Sequence, residues 1–529
     1  MNVSPPTQAN SRIARFAALI AIVAVALSVR LFALDHSLWL DELHTSWTVD
    51  GAWSDVAPRA RTGNQGLPYF YGMRAIVQAF GLSEPVLRLP SVVAGTLVVL
   101  AVFSLVRRLG GSFAAAWSAA IVVALDRELI FYSQDARPYA VLHLAAVLQV
   151  TAFVCVLRKP THTRRGICIA LSLFICHLHY TAGLLLVGEG LCLCAARLLA
   201  NRQRCPLPYQ PHTAVVDAVI LLVLLLPLIP HALDIAARRD NWEIFISRPE
   251  LWSPLFIFPW LAWFVIPISI ALVVELTAHQ SRKLDLASRP AAPARGVGVL
   301  LGIIAATLTV AWLLAAGDIA RLFYPRYLGA LIPLAIAAAG LLGDLFAARR
   351  ARLAYYLALI VAAAWSSQGA ARCYADTGTF GHHERGDWRS AVHEILATDA
   401  DARRPVFVRS GLIECDSTEN HASPAGFCTM PVNNIYDLAE GGRRVESLKT
   451  SQPERLPPTQ RALLVETGGG WFIIRGSGDY SRQIAAQLAE SLIRTHTVRV
   501  DHEQTFTGRP GVSIFRLLID NSSDAERLR

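Results

Sequence analysis

The sequence predicts a polytopic α-helical membrane protein of about eleven spans followed by a soluble α/β domain. Three observations carry this reading. Apolar windows of spanning length recur throughout the first 371 positions. Only 17% of the 529 residues are charged and 53% are hydrophobic, with a mean hydropathy of +0.40; soluble domains carry about 25% charged residues. From Arg372 onward the composition turns polar, and short β-branched or aromatic runs alternate with amphipathic stretches.

The formal net charge of +9 does not point to nucleic acid. Its arginines and lysines fall in short segments between apolar runs, and no polybasic tract is interleaved with aromatics. Retention of basic residues on the cytoplasmic side of a membrane explains them. Six of the nine cysteines lie in the apolar part or its short loops and read as small core residues. Cys415 and Cys428 lie in the polar tail, where a disulfide is open to them if the tail is outside the cytoplasm.

The first window, 13–34, is long enough to span and is followed by no small-residue cleavage site, so it reads as a retained helix. Further windows fall at 86–106, 113–131, 139–157, 166–180, 181–199, 214–236, 251–275, 297–316, 328–346 and 353–371. With the N-terminus inside, the inside loops hold Arg107, Arg108, Arg158, Lys159, Arg164, Arg165, Arg197, Arg202, Arg204, Arg282, Lys283, Arg289, Arg295, Arg349, Arg350 and Arg352. Outside loops collect Asp35, Asp41, Glu42, Asp50, Asp55, Glu84, Asp126, Glu128, Asp135, Asp240, Glu243 and Asp318. This asymmetry sets the orientation, with the tail on the far side of the membrane.

The chain therefore divides into a transmembrane module, 1–371, and a soluble extracytoplasmic domain, 372–529. The first outside loop, 35–88, is too long for a connector. Its segment GLPYFYGMRAIVQAFGL, with Tyr69, Tyr71, Met73 and Phe80, reads as an amphipathic helix suited to the interface plane. In the tail, DWRSAVHEILATDA and IAAQLAESLIRT read as helices. RPVFVRS, RALLVET, GWFIIRG and SIFRLLI read as strands.

Four polar clusters fall at outer span ends. LWLDELHT carries the adjacent carboxylates Asp41 and Glu42, and FYSQDARPYA carries Asp135 and Arg137. HLHYT carries His179 and Tyr180, and LFYPRYLGALIP carries Tyr324, Arg326 and Tyr327. A carboxylate there is suited to take a proton from an attacking hydroxyl or amine. Arginine offers a planar, permanently charged fork for a leaving phosphate, and Tyr and His add hydrogen bonds to the same oxygens. Asp41 and Asp135 are also suited to hold a divalent cation, although no cofactor is required by the pattern.

In this order LWLDEL, SEPVLRLPSVVAG, YSQDARPYA, HLHYT and YPRYLGALIP resemble the bacterial membrane glycosyltransferases of family 39 and their GT-C relatives. These include protein O-mannosyltransferases and the lipid A aminoarabinose transferase. The segment HHERGDWRSAVHEI is similar to their entry into a C-terminal domain, so the resemblance spans residues 12–400. It implies a sugar donor carried on a polyprenyl phosphate or pyrophosphate, a lipid, glycan or protein acceptor, and inverting transfer on the extracytoplasmic face of a bacterial inner membrane. Asp41 matches the first-loop acidic position that serves as base or organises the site, with Glu42 beside it and Asp135 in the second loop. Arg326 and Tyr327 match the Arg-Tyr pair near the lipid phosphate. Where relatives carry a His-Pro-Pro-type motif, this chain has NQGLPYFY, so a His able to hold metal or phosphate is missing.

Two other classes make different demands. A transporter or flippase predicts charges near the middle of spans and interrupted helices in two related halves. In the sequence the charges gather at outer ends, and neither half resembles the other. A non-catalytic assembly protein would leave Asp41 and Asp135 without a shared role.

Overall fold

A computed structural model describes residues 8–520 except 33, 64–65, 203–206, 240–242, 244–245, 280–290, 382–385, 400–403, 417–425, 440–441, 494–495, 507 and 509. Asn64, Arg204, Asp240, Arg282, Lys283, Arg289 and the start of HHERGDWRSAVHEI therefore lie outside the described residues. The chain forms two compact units: Met1–Phe32 with Arg88–Gly381, and Ala33–Leu87 with His382–Arg529.

The first unit is a helix bundle. Among the described residues, seven helices are long and apolar enough to cross a membrane: Glu84–Arg108, Tyr139–Arg158, Tyr180–Ala200, Pro211–Ala237, Leu261–Ala278, Ala292–Ala316 and Pro325–Leu345. The windows at 13–34, 113–131, 166–180 and 353–371 correspond to helices Gln8–Leu31, Phe113–Ala124, His162–Leu178 and Arg349–Ala364. Pro211–Ala237 is almost wholly exposed, with Val215, Val219, Leu222 and Leu233 facing outward, as a lipid-facing helix requires. Pro325–Leu345 is instead the most buried span. Its small residues let neighbours approach closely; a Cβ on Gly340 would stand 2.8 Å from the Ala115 carbonyl.

The predicted span at 113–131 stops at Ala124, and residues 125–138 lie outside the spans on either side. This segment is fastened to the first helix by the fully buried Arg30. Its guanidinium donates to the Ala124 carbonyl at 3.1 Å, the Val123 carbonyl at 3.2 Å and Ser133 Oγ at 3.1 Å. The two carbonyls belong to a helix C-terminus, where orphan acceptors favour a cation. Gln134 Nε2 reaches back to the carbonyls of Val29 at 3.1 Å and Phe32 at 2.8 Å.

One buried carboxyl lies near the middle of a span. Glu189 is buried inside Tyr180–Ala200, where Gln149 Nε2 donates to its Oε2 at 2.9 Å and to Ser172 Oγ at 3.1 Å.

The second unit joins the first-loop helices Leu40–Asp50, Trp53–Thr62 and Leu67–Phe80 to the tail. Leu67–Phe80 is amphipathic as expected, burying Tyr69, Phe70, Met73 and Val77 and exposing Phe80. The tail holds a five-stranded sheet of β1 (Val406–Arg409), β2 (Val445–Ser447), β3 (Gly469–Arg475), β4 (Thr497–Phe506) and β5 (Val512–Asp520), in the order β2-β1-β3-β5-β4. The β1 strand is parallel to β2 and β3, whereas β5 is antiparallel to β3 and β4. Register places Phe407, Phe472 and Phe515 side by side, with ring centroids 5.0 and 4.9 Å apart. Ile484, Leu488 and Leu492 of helix Gly478–Ile493 close this core.

One predicted strand is a helix. RALLVET lies in Pro458–Glu466, where Pro458 occupies the first turn and Leu464 is fully buried. Proline at that position pre-sets the helical φ, and Ala462, Leu463, Leu464 and Glu466 outweigh the β-branched Val465.

Candidate functional site

In the bundle unit, three spans bring their N-terminal ends together. Tyr139 opens one span, His179 and Tyr180 introduce the next, and Arg326 and Tyr327 open a third. The Tyr139 and His179 rings stand 5.6 Å apart, and His179 and Tyr327 5.8 Å apart. Thr181 Oγ1 hydrogen-bonds His179 Nδ1 at 2.7 Å and donates to the Tyr327 carbonyl at 3.2 Å, which fixes the imidazole against the third span. The Arg326 guanidinium lies 5.8 Å from the Tyr139 ring centroid. Arg137 and Arg326 both act electrostatically on His179, and Arg326 and Asp135 both act on Tyr132. Predicted residues from three separate motifs thus form one cluster. Asp135 and Arg137 are buried, while Arg326, Tyr327, His179 and Tyr180 are half-buried and Tyr324 is exposed. The Tyr180 hydroxyl hydrogen-bonds His231.

Close packing positions the Asp135 loop. Ser91 Oγ donates to the Arg137 carbonyl at 3.3 Å, and Arg137 N–H donates to the Asp135 carbonyl at 2.8 Å. A Cβ on Gly95 would fall 1.8 Å from Ser133 Oγ, so glycine alone fits there.

The cluster contains groups that the motif reading passed over. Glu128 lies within electrostatic reach of Arg326; burial raises its carboxyl above the ordinary value, and Arg127 and Arg326 partly offset this. Asp126 caps helix Arg127–Ser133 through Leu129 N–H at 3.0 Å, and burial pushes it up to about 7. Tyr132 packs on Tyr139 at 4.9 Å and on His143 at 5.4 Å. The available signal was spacing: Tyr139 and His143 are four apart on one helix face.

Beside this cluster, a cavity of about 470 Å³ is lined by Ile246, Trp252, Phe256, Ile257, Phe323 and Tyr324, among others. Ser247, Arg248, Glu250 and Ser253 share the lining, so the cavity is part apolar and part polar, and Arg326 directly follows its Pro325 in sequence.

In the second unit, Asp41 and Glu42 occupy the first turn of helix Leu40–Asp50. Glu42 is fully buried and its Oε2 accepts from Trp39 N–H at 3.3 Å, so it closes the start of its own helix. Asp41 is half-buried and acts on Arg475 of β3. Burial lowers the Arg475 guanidinium, and Asp41 pulls it back up. The helix is held by the tail: Leu38 N–H donates to Tyr436 Oη at 2.7 Å, and Ser46 hydrogen-bonds Asn434. Cys415 and Cys428 form a disulfide that packs with Leu40, Trp47, Phe427 and Met430.

Among the described residues, no three His, Cys, Asp or Glu side chains gather as cation ligands. Around Asp135, the carboxylates of Asp135 and Glu128 are balanced by the guanidiniums of Arg137 and Arg326. That arrangement leaves no net negative charge to draw a divalent cation and fits one poorly.

The fold and this cluster define a multi-pass membrane protein that gathers arginine, histidine and tyrosine at the ends of its spans. No family model matches the sequence, and no curated protein does. Among solved structures, the chain is similar to ArnT from Cupriavidus metallidurans bound to undecaprenyl phosphate, at 11% identity and a TM-score of 0.49, covering 94% of this chain and 97% of that one. The apo state of ArnT matches at 12% identity and 0.42, covering 95% and 98%. The Archaeoglobus fulgidus oligosaccharyltransferase in complex with Zn and sulfate matches at 13% and 0.43, covering 91% and 67%.

Proposed function

We propose that the protein is an inverting glycosyltransferase that moves a sugar from a polyprenyl-phosphate donor to an acceptor on the extracytoplasmic face of a bacterial inner membrane. The observation that carries this reading is the meeting of three span N-termini with Arg326, Arg137, His179 and Tyr327. Helix N-termini and guanidiniums both favour an anion, and together they suit a lipid phosphate at the membrane boundary. The apolar side of the adjoining cavity, formed by Trp252, Phe256, Ile257 and Phe323, suits the first isoprene units of the lipid. The Cys415–Cys428 disulfide supports an oxidising compartment for the tail.

In the reaction, the acceptor oxygen or nitrogen attacks the anomeric carbon from the face opposite the phosphate. The bond from that carbon to the phosphate oxygen breaks, and its electron pair leaves with the polyprenyl phosphate. Arg326 and Arg137 neutralise the developing charge. The acceptor's proton passes to Asp41, the proposed base, which acts electrostatically on Arg475. Asp135 supports the arginines.

The test is transfer from a panel of radiolabelled polyprenyl-phosphate sugars in membranes. Asp41→Asn is expected to lose about 10²-fold or more in transfer with donor binding intact. Equal transfer by both proteins would remove Asp41 as base. A transporter of lipid-linked substrate is the second reading, favoured by the mid-span carboxyl of Glu189. Movement of a fluorescent polyprenyl-phosphate sugar across proteoliposomes, blocked by Glu189→Gln and without sugar transfer, would select it.

A further inference from the structure

At the opposite end of the central span, about 27 Å from Arg326 at the helical rise per residue, a second cavity of about 300 Å³ is lined by Ser112, Ala114, Asp344, Arg349, Arg352 and Tyr356, with Leu353 at its edge. We infer that this cavity binds the phosphodiester headgroup of an anionic phospholipid from the leaflet opposite the candidate active site.

Charge is the first argument. Among the described residues, no carboxylate pairs with Arg349 or Arg352. Asp344, the one acid in the lining, is already engaged: one oxygen accepts from Ser112 N–H at 2.5 Å and the other from the Tyr356 hydroxyl at 2.7 Å. The two N–H groups just ahead of helix Arg349–Ala364 are likewise taken, because Glu275 accepts from Ala347 and Ala348 at 3.1 and 3.0 Å. The attraction for an anion therefore rests on the two guanidiniums, whose planar forks match phosphate oxygens.

The second argument identifies a lipid rather than a soluble anion. Helix Arg349–Ala364 presents Leu353, Leu357 and Val361 as an exposed apolar stripe, continued by Trp365, all more than half exposed. The stripe starts at the arginines and runs along the helix at intervals of four, as acyl chains below a bound headgroup require. Basic pockets at the ends of spans are suited to anionic headgroups.

The full chain in detergent, incubated with phosphatidylglycerol or phosphatidylcholine of the same acyl chains, tests this by native mass spectrometry. Wild type is expected to retain phosphatidylglycerol about tenfold better, and Arg349→Gln/Arg352→Gln to lose most of that preference. Ala114→Trp fills the cavity without changing charge and is expected to lose it as well, which guards against misinsertion of the double variant. Arg108→Gln/Arg158→Gln, at exposed arginines of the same bundle end, is expected to keep it. Retention by both cavity variants would overturn the site, as would equal loss in Arg108→Gln/Arg158→Gln. Inorganic phosphate that strips the bound phosphatidylglycerol at equal concentration would reassign the cavity to a soluble anion and overturn the lipid.

Discussion

Gly95 is the residue on which the Asp135 loop is seated. The Ser133 hydroxyl occupies the space a Cβ would need, and Ser133 is itself held by Arg30. Gly95→Ala is expected to cost about 1–3 kcal/mol and to lower transfer, because an overpacked contact in a buried seam forces the backbone to shift. Adding Ser133→Ala should recover part of the stability in a thermal melt; no recovery would place the strain elsewhere. Arg326 has a different sensitivity. Arg326→Lys keeps the charge but loses the fork and the stacking on Tyr139. A rise of about tenfold in donor KM is expected for Arg326→Lys, and a larger one for Arg326→Gln. Equal KM values for Arg326→Gln and wild type would remove Arg326 from the phosphate.

At the scale of single elements, the β4–β5 pair sets a pH limit on the tail. Arg516 of β5 donates to both oxygens of Asp501 in β4, at 2.8 and 2.6 Å, and holds this carboxyl below its ordinary value. A depressed carboxylate stabilises the fold above its unfolded pKa of about 3.9 and loses that contribution as pH falls through the lower, folded value. Tail stability should therefore drop below about pH 4, and Asp501→Asn should flatten that part of the curve. An unchanged acid limb in the variant would assign the drop to other carboxylates. The same strands mark what the sequence made legible. Long apolar windows were readable because a bilayer demands about 20 of them in succession, and nothing in a soluble domain imitates that. GWFIIRG and SIFRLLI were readable because both strands are buried on their two faces. TVRVDHEQTF was not, since β4 lies at a sheet edge and is mostly exposed and charged. RALLVET was misread because apolar content was weighed above the proline that starts its helix. In the candidate site, Arg137, His179 and Tyr327 stood out as charges and rings at span ends. Glu128 and His143 did not, because their relevance depends on which span ends meet.

For the whole molecule, the disulfide bears on the segment carrying Asp41. It closes a 13-residue separation, worth about 3 kcal/mol in chain entropy, against Leu40 and Trp47. Reduction should raise hydrogen exchange across residues 40–50 while the spans stay protected. Unchanged exchange there would mean that the aromatic packing suffices alone. A further consequence concerns biosynthesis. Leu38 takes its hydrogen-bond partner from Tyr436, 398 residues later. At the usual rate of about 5–20 residues per second, the ribosome needs roughly 20–80 s to supply it. Throughout that interval the nascent loop lacks this partner, so the segment carrying Asp41 and Glu42 reaches its final packing only after Tyr436 has been made.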